Sequence, residues 1–155
     1  MNVKEKLYMF NPFLISNATE QEIANTYSSL QESLNEETDT PFMIAHNIEV
    51  YSNMCYLLGE MIARLTEQYD KAKVAKDIEE NQALYMLRDQ WKMDNDEKPP
   101  AIAYFEAKAK QTVVDQYNRL ADLGARLYRF KKAYESTENK ANALKKKMEA
   151  IKYEM

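Results

Sequence analysis

One histidine and one cysteine set narrow limits on nucleophilic or metal chemistry in this chain. A cysteine nucleophile needs a base within hydrogen-bond reach, and a structural zinc site needs four nitrogen or sulfur ligands. His46 falls beside Ile44 and Ile48 in the first turn of a candidate helix, and Cys55 falls on an apolar stripe. At those places Cys55 suits packing and His46 suits a helix surface or an interface. The two glycines, Gly59 and Gly124, are too far apart to form a phosphate-cradling loop. The acidic groups Glu36, Glu37 and Asp39, and Asp94, Asp96 and Glu97, lack the ligand spacing of a calcium loop. The expectation is a protein with no catalytic residue, no metal and no cofactor.

The residues that could do recognition chemistry are basic and aromatic. Lys71, Lys73, Lys76, Arg88, Lys92, Lys98, Lys108 and Lys110 flank the pair Pro99 and Pro100, with Trp91, Tyr104 and Phe105 interleaved. Bases of a single strand stack on aromatic rings while cations hold the phosphates. The candidate nucleic-acid-binding set is Lys71, Lys73, Lys76, Arg88, Lys92, Lys108, Lys110, Trp91 and Tyr104. Glu79, Glu80 and Asp89 stand among these cations, and Trp91 and Phe105 also suit a core. A second basic feature borders the C-terminal stripe, with Arg119, Arg126, Lys140 and Lys147 on one rim and Lys131, Lys145 and Lys152 on the other. It fits either phosphate binding or a solvated helix end, where cations complement the helix dipole.

Helices must position these groups. Two glycines and four prolines in 155 residues leave little turn chemistry for sheets. Thr19 with Glu22 has the form of a capping box, and Ile23, Tyr27, Leu30 and Leu34 follow as one stripe. Thr40 and Pro41 read as an N-cap and a first helical residue. From there Ile44, Ile48, Tyr51, Cys55, Leu58, Ile62, Leu65, Tyr69 and Ala72 alternate by four and three. That is the 3.5-residue repeat of a coiled coil. After Ala72 Lys76 is next in line, while Leu84, Leu87 and Trp91 follow a different phase. The charged stretch Asp94 to Pro100 is a loop, since two consecutive prolines cannot both lie inside a helix. A strict heptad stripe then runs through Leu120, Leu123, Leu127, Phe130, Tyr134, Thr137, Ala141, Leu144, Met148 and Ile151.

The predicted fold is all-α: a long antiparallel helical hairpin with coiled-coil heptads and a short N-terminal helix. Residues 1–40 form an arm and a short helix, and residues 41–155 form the hairpin, with helices over about 41–93 and 100–153. An uncovered stripe of this length forgoes roughly 25 cal/mol per Å² of apolar surface, which favours a homo-oligomer. Leu120, Leu123, Leu127, Phe130, Tyr134, Leu144, Met148 and Ile151 are its candidate interface. The other use of that stripe is pairing within one chain. Leu7 to Ile15 reads as a docking arm, and no apolar run approaches the roughly 20 residues that span a bilayer. A lone thiol and no membrane segment point to the cytoplasm. Residues 1–100 carry 9 basic and 18 acidic side chains, and residues 101–155 carry 12 and 7. The basic excess is therefore at the C-terminal end.

From about residue 45 onward, roughly two-thirds of the chain resembles the UvsY-like family of phage recombination mediators. The resemblance rests on Val50, Tyr51 and Ser52, the basic segment Lys71 to Lys76, and a charged loop followed by a restart over Tyr104 to Val114. It continues in the lysine-rich end from Ala143 to Lys152. It implies an oligomeric, non-catalytic protein that binds single-stranded DNA and helps a recombinase displace the single-strand-binding protein. The implied location is the host cytoplasm. The family's lysine/arginine pair late in the first long helix is matched here by Arg88 alone, after Tyr85, Met86 and Leu87. The other function class is a helical protein–protein adaptor that binds no nucleic acid, such as a virion scaffold, an assembly chaperone or an inhibitor of a host enzyme.

Overall fold

The computed structural model describes residues 15–155, so the docking arm expected from Leu7 lies outside the described residues except for Ile15. The fold is all-α. Among the described residues there are four helices and no strand: α1 (Glu20–Glu32), α2 (Pro41–Asp94), α3 (Ile102–Thr112) and α4 (Val114–Glu154). The chain divides into two compact units, Leu65–Leu127 as the second and the residues on either side of it as the first.

In the first unit α1 starts at the capping box. The Glu22 amide donates to the Thr19 hydroxyl at 3.1 Å, and the Thr19 amide donates to the Glu22 carboxylate at 3.1 Å. This satisfies two of the donors that a helix start leaves open. Ile23, Thr26 and Leu30 are buried along one face of α1. Ile23 and Leu30 join Ile15 and Ala18 in a core with Val50, Met54, Leu57 and Met61 of α2, against which Phe130 of α4 also packs. Asn47, Met54 and Met61 are not on the stripe that runs from Ile44 to Ala72. They are in fact the second buried face of α2, because α1 covers it.

The linker from α1 to α2 is tied down by side chains of α2. The ring Nε2–H of His46 donates to the carbonyl of Ser33 at 2.9 Å. Buried Asn47 accepts from the Asn35 amide at 2.8 Å and donates to the Asn35 carbonyl at 3.0 Å. Lys147 of α4 donates to the Thr38 carbonyl and hydroxyl at 2.7 and 3.0 Å. One cation of the expected basic rim is thus a linker clamp. Thr40 caps α2 by accepting from the Met43 amide at 3.3 Å.

The second unit is a helical hairpin. Gln116 donates to Glu79, Tyr117 donates to Glu80, and Gly124 lies beside Tyr69, so numbering rises on one arm as it falls on the other. Its seam on α2 is half-buried Tyr69, Ala72, Lys76, Glu80, Ala83, Leu87 and Trp91. The spacings are three, four, four, three, four, four, an 11-residue repeat at about 3.67 residues per turn. The phase break after Ala72 is this change of period, and Lys76 does stand on the seam.

The second arm is expected as one helix and is two. Val113 breaks it with φ −109° and ψ 28°. Thr112, Val113 and Val114 are three consecutive β-branched residues, which are stiff in a helix. The Thr112 hydroxyl also donates back to the Lys108 carbonyl at 3.1 Å. Val113 itself is buried, so the joint is anchored.

Candidate nucleic-acid interface

The end of the hairpin gathers aromatic rings and cations. α2 stops at Asp94, and the Asn95 amide and side chain both donate to the Trp91 carbonyl, at 3.0 and 3.2 Å. Pro99 and Pro100 keep the chain extended, and α3 starts at Ile102 with no side-chain cap. This return places Tyr104 and Phe105 against Trp91. Ring centroids are 6.5 Å apart for Trp91 and Tyr104, 6.3 Å for Trp91 and Phe105, and 5.4 Å for Tyr104 and Phe105. All three pairs meet edge to face, the arrangement that ring quadrupoles favour.

The rings have different exposures. Phe105 is buried, Trp91 is half-buried, and Tyr104 is 42% exposed. The Lys108 ammonium lies 4.9 Å from the Tyr104 ring centre, within cation–π range. Arg88 and Lys92 line a small cleft with Pro99, Pro100, Ile102 and Phe105. The Trp91 indole N–H is buried and has no acceptor among the described residues. Trp91 and Phe105 therefore form the plug of the hairpin, and Tyr104 is the ring of this cluster that a base could reach.

The structure brings together Arg88, Trp91, Lys92, Tyr104 and Lys108 of the expected set. Lys110 is exposed one turn nearby on α3. Lys71 and Lys73 are not part of this cluster: twenty residues of helix place Lys71 about 30 Å from Trp91 along α2. Lys71 is bonded to Glu67 at 2.5 Å, which holds that exposed carboxyl below its usual range. Lys76 is inside the seam. Its ammonium contacts Asp77 at 2.5 Å and Glu80 at 3.5 Å and lies 4.7 Å from the Tyr117 ring centre. The hydrogen bond to Asp77, foremost, raises the Lys76 pKa, and Tyr117 is raised by donating to Glu80 at 2.7 Å. This network was not anticipated. Its signal was present, since Lys76 continues the stripe in register.

The C-terminal stripe is used at least in part within the chain. Leu123 is buried in the second unit. In the first unit Phe130 packs on the apolar core, and the Tyr134 ring lies beside Gly59, 4.0 Å from where a Cβ there would stand. Leu120, Leu127, Leu144, Met148 and Ile151 are half-buried. The Cys55 thiol contacts the Tyr134 carbonyl at 4.0 Å, and burial pushes its pKa up, opposite to what a nucleophilic thiolate needs. No group of three or more metal-ligating side chains occurs among the described residues. No helix among them is long and apolar enough to cross a membrane. No family model, no curated protein and no solved structure matches the chain.

Proposed function

We propose that this chain is a non-catalytic, homo-oligomeric protein that binds single-stranded DNA and acts as a recombination mediator, helping to load a recombinase. The reading is the one implied by the UvsY-like resemblance. It adds a coiled-coil character to the all-α fold and a place in the host cytoplasm if the chain is phage-encoded. The observation that carries it is the gathering of Arg88, Lys92 and Lys108 around Trp91 and exposed Tyr104. Cations beside a reachable ring are what a flexible strand needs for backbone and base together.

The test is fluorescence anisotropy of a labelled single-stranded oligonucleotide titrated with the full chain at several salt concentrations. Affinity should fall with salt, since each neutralised phosphate releases about 0.7 counterion from a single strand. Replacing Arg88, Lys92 and Lys108 by Ala together should lower the slope of log affinity against log salt by about 2. Absence of binding at low salt would remove the reading.

One observation favours a protein–protein adaptor instead. Lys76 is neutralised in the seam and Lys71 is paired with Glu67, so two of the expected cations are engaged within the chain. A chain that ignores the oligonucleotide at low salt and copurifies with one protein after nuclease treatment would be that adaptor.

A further inference from the structure

The outer face of α2 in the second unit carries a pattern that matches itself when reversed, and we infer that it is the contact surface for a second, antiparallel copy of this chain. The inference deepens the homo-oligomeric part of the reading above. Val74, Ile78 and Tyr85 are 58%, 52% and 63% exposed. At about 100° per residue they fall within roughly 40° of one another, on the side of α2 opposite the Lys76–Glu80 seam. Apolar side chains in register on an uncovered helix face are the minimal seam for another helix.

The charges around that stripe select the occupant. In a twofold antiparallel pair each flank of a helix faces the same flank of its copy, and residue i meets residue j when their numbers add to a constant. Along the centre of the face, Val74 then meets Tyr85 and Glu67 meets Lys92. On one flank Asp70 meets Arg88. On the other flank Lys71 meets Asp89. The two numbers of every one of these pairs add to 158, 159 or 160. One axis near position 79.5 therefore satisfies all of them, and twofold symmetry makes each ion pair twice. A parallel copy would bring opposite flanks together, Asp70 near Lys71 and Arg88 near Asp89, but along the centre of the face it would set Glu67 beside Glu67 and Lys92 beside Lys92. Glu67, Asp70, Lys71, Asp89 and Lys92 are exposed, and Arg88 is half-exposed. The Lys71–Glu67 bond within the helix is between groups 75% and 66% exposed, so exchanging it for partners on a second copy costs little.

Arg88 and Lys92 stand in both this face and the hairpin-end cluster, so a bound strand and the pairing compete for them. Mass is therefore measured without DNA. Sedimentation equilibrium of the full chain at low salt should show self-association that Asp89→Lys weakens about tenfold, because each reversal acts twice. Lys71→Glu combined with Asp89→Lys should bring the dissociation constant back to within about threefold of the parent. As a second readout, in a Cys55→Ser background, Val74→Cys with Tyr85→Cys should give a covalent dimer on oxidation. Val74→Cys alone should give none, since the two copies of that position lie about 16 Å apart along the axis. A monomer at all concentrations, or association indifferent to Asp89→Lys with no crosslink, would overturn the pairing. Anisotropy with the oligonucleotide on the same samples separates the two failures: retained strand binding would leave the mediator reading standing without this interface.

Discussion

In the first unit α2 is buried on two sides, by α1 with Ile23 and Leu30 and by α4 with Phe130 and Tyr134. In the second unit it has one neighbour arm, and the seam between them holds Lys76, Glu80, Gln116 and Tyr117 among apolar residues such as Ala72, Ala83, Leu87 and Trp91. The same helix is thus an apolar core element in one stretch and half of a polar, thinner seam in the other. Stability in the first should come from area removed from water, and in the second from pairing that must offset desolvation. The uncovered side of α2 in the second unit is where an additional helix has no counterpart of α1.

The contrast can be broken or sharpened at named residues. The largest effect is expected from Leu57→Ala, which empties a fully buried position of the first core and should cost about 3 kcal/mol in chemical denaturation. Asn47→Ala should cost about 2 kcal/mol, because it leaves the Asn35 amide and carbonyl without their partner in a part-buried place. Hydrogen exchange should show that loss at residues 33–36 first. Replacing Lys76 and Glu80 together by Leu should leave the melting temperature unchanged or raise it, since a well-packed apolar pair avoids desolvating two charges. Lys76→Leu alone should lower it, and a double variant less stable than that single one would mean that the seam depends on its charges. The smallest effect is one of pH. Lys76 and Tyr117 both have raised pKa values, so their contribution is complete below the ordinary values near 10 and is lost as pH rises through the raised ones. Circular dichroism should therefore be flat from neutral pH to about 10 and decline above it, with a smaller alkaline decline in a Tyr117→Phe variant, in which Lys76 keeps its bond to Asp77.

Much of the helical layout was legible because its signals are local. Thr19 with Glu22, Thr40 with Pro41, and the proline pair each act within a few residues. The second buried face of α2 was not legible. Asn47, Met54 and Met61 look like a flank until α1 is known to lie over them, which is a tertiary fact. The break at Val113 was written in three β-branched residues but competes with the strong helical pattern on both sides. The candidate site was legible in type and less so in place. Arg88, Lys92 and Lys108 are gathered by the return of the chain at Pro99 and Pro100. Lys76 belongs by type to the candidate strand-binding cations, while the stripe, continued in register, puts it inside the seam.

Trp91 is the sole tryptophan of the chain, and it sits at the hairpin end between Tyr104 and Phe105 with its indole N–H shielded. The protein therefore has a built-in emitter at a single address. A dry indole emits toward the blue, so any wetting of that plug will register as a red shift that no other residue can produce. Without a dye or a mutation, the colour of the light reports whether the tip of the second unit is closed.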